Sequence, residues 1–339
     1  MTAALSPPAS AVRPRSSRHG LPSALPLIRR IALRLPFAVI LFFSATFLTF
    51  LLLALTPGDP AYLILGSSAT PDAVHQLREQ LGLDLPLPVR YWNWVTGFVS
   101  GDMGNSIFTL EPVAKVIGER LPVTLSLIAI GIIVMPVVGV SMGIFSAVRG
   151  GLLGRVLDVI SLVGFSLPSF WVAAILLEVF AVSLHWLPAV GYVSPLTSPA
   201  DWLRSLVLPV AALSLVGTAS FARYTRDAML DVLASEHIRM ARANGLPEST
   251  IIYRYALKNV AIRVLTLVGL LTVGLLGGTV FVETVFALPG LGSYVVDGVL
   301  QKDMPVVQGV VAVFTLIIIL VNLVVDLAYT ALDPRVRAS

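Results

Sequence analysis

The 339-residue chain contains no cysteine, which removes disulfides, thiolate metal sites and cysteine nucleophiles from consideration. Its four histidines are scattered, so no cluster at ligand spacing exists and no metal chemistry is expected. Charged residues make up only 12% of the chain, against roughly 25% in soluble globular proteins. Water is therefore not its main solvent. No GxxxxGKS or GxxxxGKT phosphate loop occurs, so a nucleotide that powered this molecule would have to bind on another chain. Nor does any nucleophile stand with a base in a recognisable pattern, and no enzymatic chemistry is expected. The net charge of +4 raises nucleic acid as a partner. A basic balance in a membrane protein more often reflects Lys and Arg held in the cytoplasm, and no nucleic acid is expected.

What the chain does have is hydrophobic length. Hydrophobic residues make up 56% of it, and a helix crossing the hydrocarbon core needs about 20 consecutive apolar residues. Six uncharged stretches meet that need: Leu35 to Leu55, Leu121 to Val148, Val159 to Leu177, Ser205 to Ala222, Val264 to Val282, and Met304 to Val325. The expected fold class is an all-α membrane protein with about six transmembrane helices. The first stretch is too long and too late for a removable signal, so 27–55 is kept as transmembrane helix 1.

Charge sets the orientation. Arg13, Arg15, Arg18, Arg29, Arg30 and Arg34 precede the first span, and the positive-inside rule places the N-terminus in the cytoplasm. Six spans return the C-terminus there. The loops thereby placed inside carry Arg149, Arg155, Arg223, Arg226, Arg239, Arg242, Arg254, Lys258, Arg263, Arg335 and Arg337. Residues 1–26, rich in Pro, Ser, Ala and Arg, read as a disordered cytoplasmic tail, and 332–339 as a cytoplasmic C-terminus. Between the first two spans lies an external segment, 56–120, too long for an ordinary connection. Within it Pro71 to Gly82 reads as a capped helix, and Tyr91, Trp92 and Trp94 fit a second helix at the membrane interface. Residues 121–331 are expected to form the transmembrane core, helices 2–6.

The most informative polar segment is the basic cytoplasmic loop 223–263. Helix formers from Ser235 end at Asn244-Gly245, and Pro247-Glu248 opens a second helix. Ala241, Ala243 and Gly245 leave the backbone near whatever packs there, while Arg239 and Arg242 share a face. A helix-in-groove contact would use these features, and so would a solvated face that only fixes topology.

Glu236, Ala241, Gly245 and their spacing resemble the loop by which permeases of binding-protein-dependent ABC importers dock on the ATP-hydrolysing subunit. Arg239, Arg242 and Leu246 complete the docking set that this resemblance implies. Further motifs extend the likeness from roughly residue 28 to the end: Thr56-Pro57-Gly58-Asp59-Pro60, Leu81-Gly82-Leu83-Asp84, Gly101-Asp102-Met103-Gly104-Asn105-Ser106, Ser166-Leu167-Pro168-Ser169-Phe170-Trp171, Glu283-Thr284-Val285-Phe286, Leu288-Pro289-Gly290-Leu291-Gly292 and Asp333-Pro334-Arg335. Together they are similar to the dipeptide, oligopeptide and nickel permease family, and the long external segment to its first-permease (B) type. The chain departs from that pattern at Asn244, Tyr255 and Arg263, where Lys, His and Pro are usual.

The resemblance implies a heterodimer with a second, C-type permease, two ABC ATPase subunits carrying ATP and Mg, an extracytoplasmic substrate-binding protein, and a multi-pass place in the lipid of the bacterial inner membrane. No cofactor is expected on this chain. Peptide is the expected cargo, with nickel or another small solute as the alternative. A secondary transporter, the rival class, would show internal repeats and ionisable relays; a channel would show a symmetric filter.

Pro168, Phe170, Glu283 and Pro289 are the candidate pathway or gate residues. A carboxylate at membrane depth is costly, so Glu283 either caps a broken helix or serves the pathway. Glu178 and Asp326 can pair locally or reach the interface, and a structural role is expected of both. Pro136 and Pro168 are expected to kink their spans, with a hinge for alternating access as the other reading. Gly274, Gly277 and Gly278 are expected to permit close helix packing, including against the second permease.

Overall fold

The computed structural model describes residues 25–332. The tail proposed for 1–26 lies outside the described residues except for Leu25 and Pro26, which are helical. The C-terminal segment lies outside them too, apart from the helical Leu332.

The described residues are helical, joined by turns and one isolated bridge between Asn105 and Pro112. Helix α1 (Leu25–Leu55) leads into four short helices: α2 (Pro60–Leu65), then α3 (Pro71–Gln80) and α4 (Leu87–Ser100), with a single 3-10 turn at Gly66–Ser68 as the fourth. Helix α5 (Val113–Arg149) is followed by α6 (Gly151–Ser166) and α7 (Ser169–Leu176), the last continuing as a π turn to Ser183. Helix α8 (Pro199–Leu233) precedes the short α9 (Glu236–Ala243) and α10 (Glu248–Thr250). A second π turn, Ile251–Ala256, feeds α11 (Leu257–Val285), then α12 (Leu291–Gln301) and α13 (Met304–Leu332).

Five of these helices are long and apolar enough to cross a membrane: α1, α5, α8, α11 and α13. The third expected span differs. Instead of a kinked helix over Val159 to Leu177, α6 and α7 meet at a bend of 106°. Pro168 lacks an N–H and pushes Leu167 out of the helical region, to φ −85°, ψ 130°. Pro136, by contrast, sits inside a continuous α5. The second and fourth spans are longer than their apolar stretches: α5 takes in the last residues of the segment assigned to 56–120, and α8 runs on through Arg223 and Arg226.

Helix α8 is the hub, touching α5, α6, α7 and α11. Its contact with α5 is close because glycines face it. A Cβ on Gly139 would meet the Thr218 carbonyl at 2.6 Å, and one on Gly143 would meet Thr225 Cβ at 2.7 Å. The glycine run of α11 behaves otherwise. A Cβ on Gly278 would meet Leu213 of α8 and one on Gly269 would meet Asn322 of α13, but Gly274 and Gly277 face open space within this chain.

The segment between α1 and α5 is a built structure. Asp59 caps α2 through the Ala61 N–H at 2.9 Å and accepts from Arg78 at 2.6 Å, while Arg78 also donates to Asp84 at 2.9 Å. Ser106 donates to the buried Asp303 at 2.5 Å, which ties the segment to the start of α13. Tyr91 packs on α1, bonding Thr46 at 2.9 Å, and Trp94 stacks beside it. Of the three aromatics placed at the membrane interface, Trp92 is the exposed one. At the other end of α1, Arg34 pairs with Asp326 of α13.

Substituting Gly143→Ala should lower the thermal midpoint of the detergent-solubilised chain, since overpacking costs about 1–3 kcal/mol. Gly274→Ala, with nothing to strike, should raise it slightly by helix propensity, about 0.5–1 kcal/mol. Equal effects from the two would refute the glycine contact.

Candidate functional site

Two constellations carry the residues that the sequence singled out. The first is the turn between α8 and α11. Ile238 and Ala241 are buried in the core cluster and Leu246 packs against it, so one face of α9 is anchored to the permease itself. Two hydrogen bonds close the end of α9: Gly245 N–H to the Arg242 carbonyl at 3.0 Å and Leu246 N–H to the Ala241 carbonyl at 3.2 Å. That pair is a Schellman motif, and it needs a left-handed residue, supplied by Gly245 at φ +74°. A Cβ there would meet nothing, so backbone conformation alone accounts for the glycine.

Arg242 is occupied within the turn. It donates to Glu248 at 2.6 Å and 3.4 Å and reaches the Leu233 carbonyl at 3.5 Å. These bonds hold its guanidinium above its ordinary pKa. The docking set thus divides. Glu236, Arg239 and Gly245 face outward, while Ala241, Leu246 and Arg242 secure the turn from behind or across it. Sequence reasoning missed Met240, which is 64% exposed on the outward face, and Ile238, whose burial could have been read from its place on the amphipathic pattern.

The second constellation surrounds Glu283, near the end of α11 and fully buried. Thr124 of α5 donates to Glu283 Oε1 at 2.7 Å, and the same hydroxyl accepts the Leu291 N–H at 2.8 Å. The Ser293 N–H reaches Glu283 Oε2 at 3.0 Å. The carboxylate therefore sits under the first turn of α12, where free N–H groups and the helix dipole favour negative charge. The capping role expected as one of its two readings is what the geometry shows. Gly290 and Gly292 permit the approach, because a Cβ on either would collide with that carboxylate. Pro289 lies in the α11–α12 turn. Above it the Arg120 guanidinium stands 4.9 Å from the Tyr294 ring and within 3.5 Å of Ser293 Oγ.

The turn leaving α11 repeats the Schellman geometry, with Leu288 N–H bonded to the Glu283 carbonyl at 2.8 Å and Ala287 N–H to the Thr284 carbonyl at 3.3 Å. Here the left-handed position is held by alanine, at φ +48°. Pro168 marks the α6–α7 break, and the Phe170 ring lies 6.1 Å from Phe281 of α11. Glu283 and Pro289 belong to the α12 turn and Pro168 to the α6–α7 corner, while Phe170 reaches from that corner to a cavity lined by Phe281, Thr284 and Val285 of α11 and Val296 of α12.

Comparison with known proteins adds to this geometry. Residues 139–338 match the family described as the binding-protein-dependent transport system inner membrane component, and residues 27–128 match its N-terminal counterpart. A Brucella abortus protein described as a peptide transport system permease is 40% identical over 312 residues, covering 92% of this chain and 98% of its own length. The dipeptide transport system permease protein DppB of Alkalihalophilus pseudofirmus is 38% identical, covering 91% of this chain and 98% of its own. An inward-facing structure of the MetNI methionine ABC transporter overlays 64% of this chain and 96% of its own at a TM-score of 0.53 and 17% identity, a likeness of fold.

Thr124→Val should leave the Leu291 N–H unpaired and Glu283 short of a donor, at a cost of about 2–4 kcal/mol, read as a lowered thermal midpoint. Ala287→Gly should act in the opposite direction by about 1 kcal/mol, relieving the left-handed alanine; a loss of stability there would contradict the turn geometry.

Proposed function

The chain belongs to the family of binding-protein-dependent transport system inner membrane components, and from that premise we propose that it is one permease half of an ATP-driven importer of di- and oligopeptides. It is a multi-pass transport subunit and not an enzyme. The peptide assignment rests on its similarity to peptide and dipeptide permeases at 38–42% identity. The observation that carries the mechanism is the closed turn at Gly245, whose outward face of Glu236, Arg239 and Met240 is held rigid from behind.

In this reading the turn docks in a groove of an ATPase subunit on the cytoplasmic side of the inner membrane. Two such ATPases bind ATP and Mg, and a second, C-type permease completes the pathway. Both termini are cytoplasmic, and the α2–α4 segment, on the opposite side, meets the substrate-binding protein. Helix α8 is 35 residues long, about 50 Å, and leads from the far side of the bundle to the turn. Closure of the ATPase pair would move the turn and, with it, α8 and every helix that α8 touches. Only a ligand that binds one state better can drive such a switch, and ATP takes that role here. The α6–α7 corner at Pro168 and Phe170 and the α12 cap at Glu283 and Pro289 are proposed as the parts that rearrange along the pathway.

Affinity purification from the native membrane in mild detergent tests this. A second permease and P-loop ATPases should co-purify, and Gly245→Asp should remain in the membrane yet lose the ATPases and transport. Arg239→Glu should weaken ATPase association by about tenfold while leaving the thermal midpoint unchanged, as loss of one charged contact would. A chain that purified alone and transported without ATP would be a secondary transporter instead.

A further inference from the structure

A cavity of about 610 Å³ lies between the end of α1, the α2–α4 segment and the α12–α13 turn. Its volume falls within the range of small-molecule sites. Apolar walls come from Phe50, Leu53 and Ala54 of α1, from Leu85 before α4, and from Met304 and Pro305 of α13.

Its charges are unevenly matched. Arg78 has both edges taken by Asp59 and Asp84. Glu79 stands exposed at the rim. Arg90 and Lys302 have no carboxylate partner among the described residues. Half-buried Arg90 donates to the Met304 sulfur at 3.4 Å and lies over the face of Phe50 at 5.7 Å. Burial, with Arg78 nearby, pushes its pKa below the ordinary arginine value. Lys302 Nζ donates to the Pro57 carbonyl and keeps further N–H groups free. A desolvated guanidinium without a counter-ion is costly, and the complement that relieves it is an anion.

The position of the cavity identifies the anion. It opens where α1 ends and α13 begins, at the surface level of two spans. Beside it on α1, Leu48, Leu52 and Leu55 are exposed, an apolar track that continues toward the hydrocarbon. We propose that this cavity binds the headgroup of an anionic phospholipid, with Arg90 and Lys302 on the phosphate and the glycerol ester against Phe50, Leu53 and Ala54. The bound lipid would fasten the α2–α4 segment to the ends of α1 and α13.

The test uses the intact complex, reconstituted in nanodiscs of phosphatidylcholine doped with phosphatidylglycerol and then extracted for native mass spectrometry of retained lipid. Phosphatidylglycerol should be retained by the wild type, and about tenfold less by Arg90→Gln, the loss expected of one charge-assisted hydrogen bond. Arg90→Lys, which keeps the charge and serves as the folding control, should recover much of that retention, and Lys302→Gln should lower it further. Excess inorganic phosphate should not displace the lipid. Equal retention by wild type and Arg90→Gln would overturn the proposal. So would displacement by a dipeptide, which would make the cavity a peptide site, or binding of phosphate alone without phosphatidylglycerol.

Discussion

A helix in hydrocarbon gains little by burying leucine against another helix, because lipid tails are equally apolar, so the pairing of α5 with α8 depends on how near two backbones can come. Gly139 and Gly143 set that distance, and Phe221, Ala222 and Thr225 fill the space they leave. The other helices are arranged around this contact. Helices α6, α7 and α11 pack on α8, and α13 packs on α11, α12 and α5. The turn at Gly245 is itself an outgrowth of α8, with Ile238 and Ala241 joining the core that Val232 and Phe221 belong to.

The second constraint is electrostatic. A carboxylate removed from water must find donors, and Glu283 finds them in Thr124 on α5 and in the first turn of α12. One side chain therefore links three helices. The same logic orders the α2–α4 segment, where Asp59 is at once a helix cap and an ion-pair partner, and Asp303 caps α13 while receiving Ser106. Among the described residues, the strings of Gly, Pro and Asp at 56–60 and 288–292 are, in three dimensions, helix ends supplied with their missing partners.

Much of this was legible in the sequence because it is local. Apolar length predicted six spans, five of which are continuous helices, and Asn244-Gly245 and Gly82 predicted two helix ends. What was not legible depends on distant neighbours. Pro136 and Pro168 look alike in the chain, yet one is absorbed in α5 and the other turns the path by 106°. Glycine in α11 drew attention although Gly274 and Gly277 meet nothing, whereas Gly139 and Gly143 were passed over although they touch α8. Only the opposite helix distinguishes such cases. The π turns at Leu177–Ser183 and Ile251–Ala256 have no composition that marks them. The pairing of Arg242, one of the expected docking residues, with Glu248 was not legible because Glu248 lies beyond the turn that brings them together.

The corner between α6 and α7 has an implication for how the molecule sits among its neighbours. Helix α6 has 16 residues before the break, a rise of about 24 Å, and there the helical ladder stops, with Ser166 and Pro168 exposed. Carbonyls freed at that depth are not tolerated against acyl chains; they require water or a second protein surface. The chain thus carries its own compass: the flank that bears residues 166–169 is one that lipid cannot cover, and α1, with Leu35, Phe37, Ile40, Leu48, Leu52 and Leu55 exposed, offers one that it can.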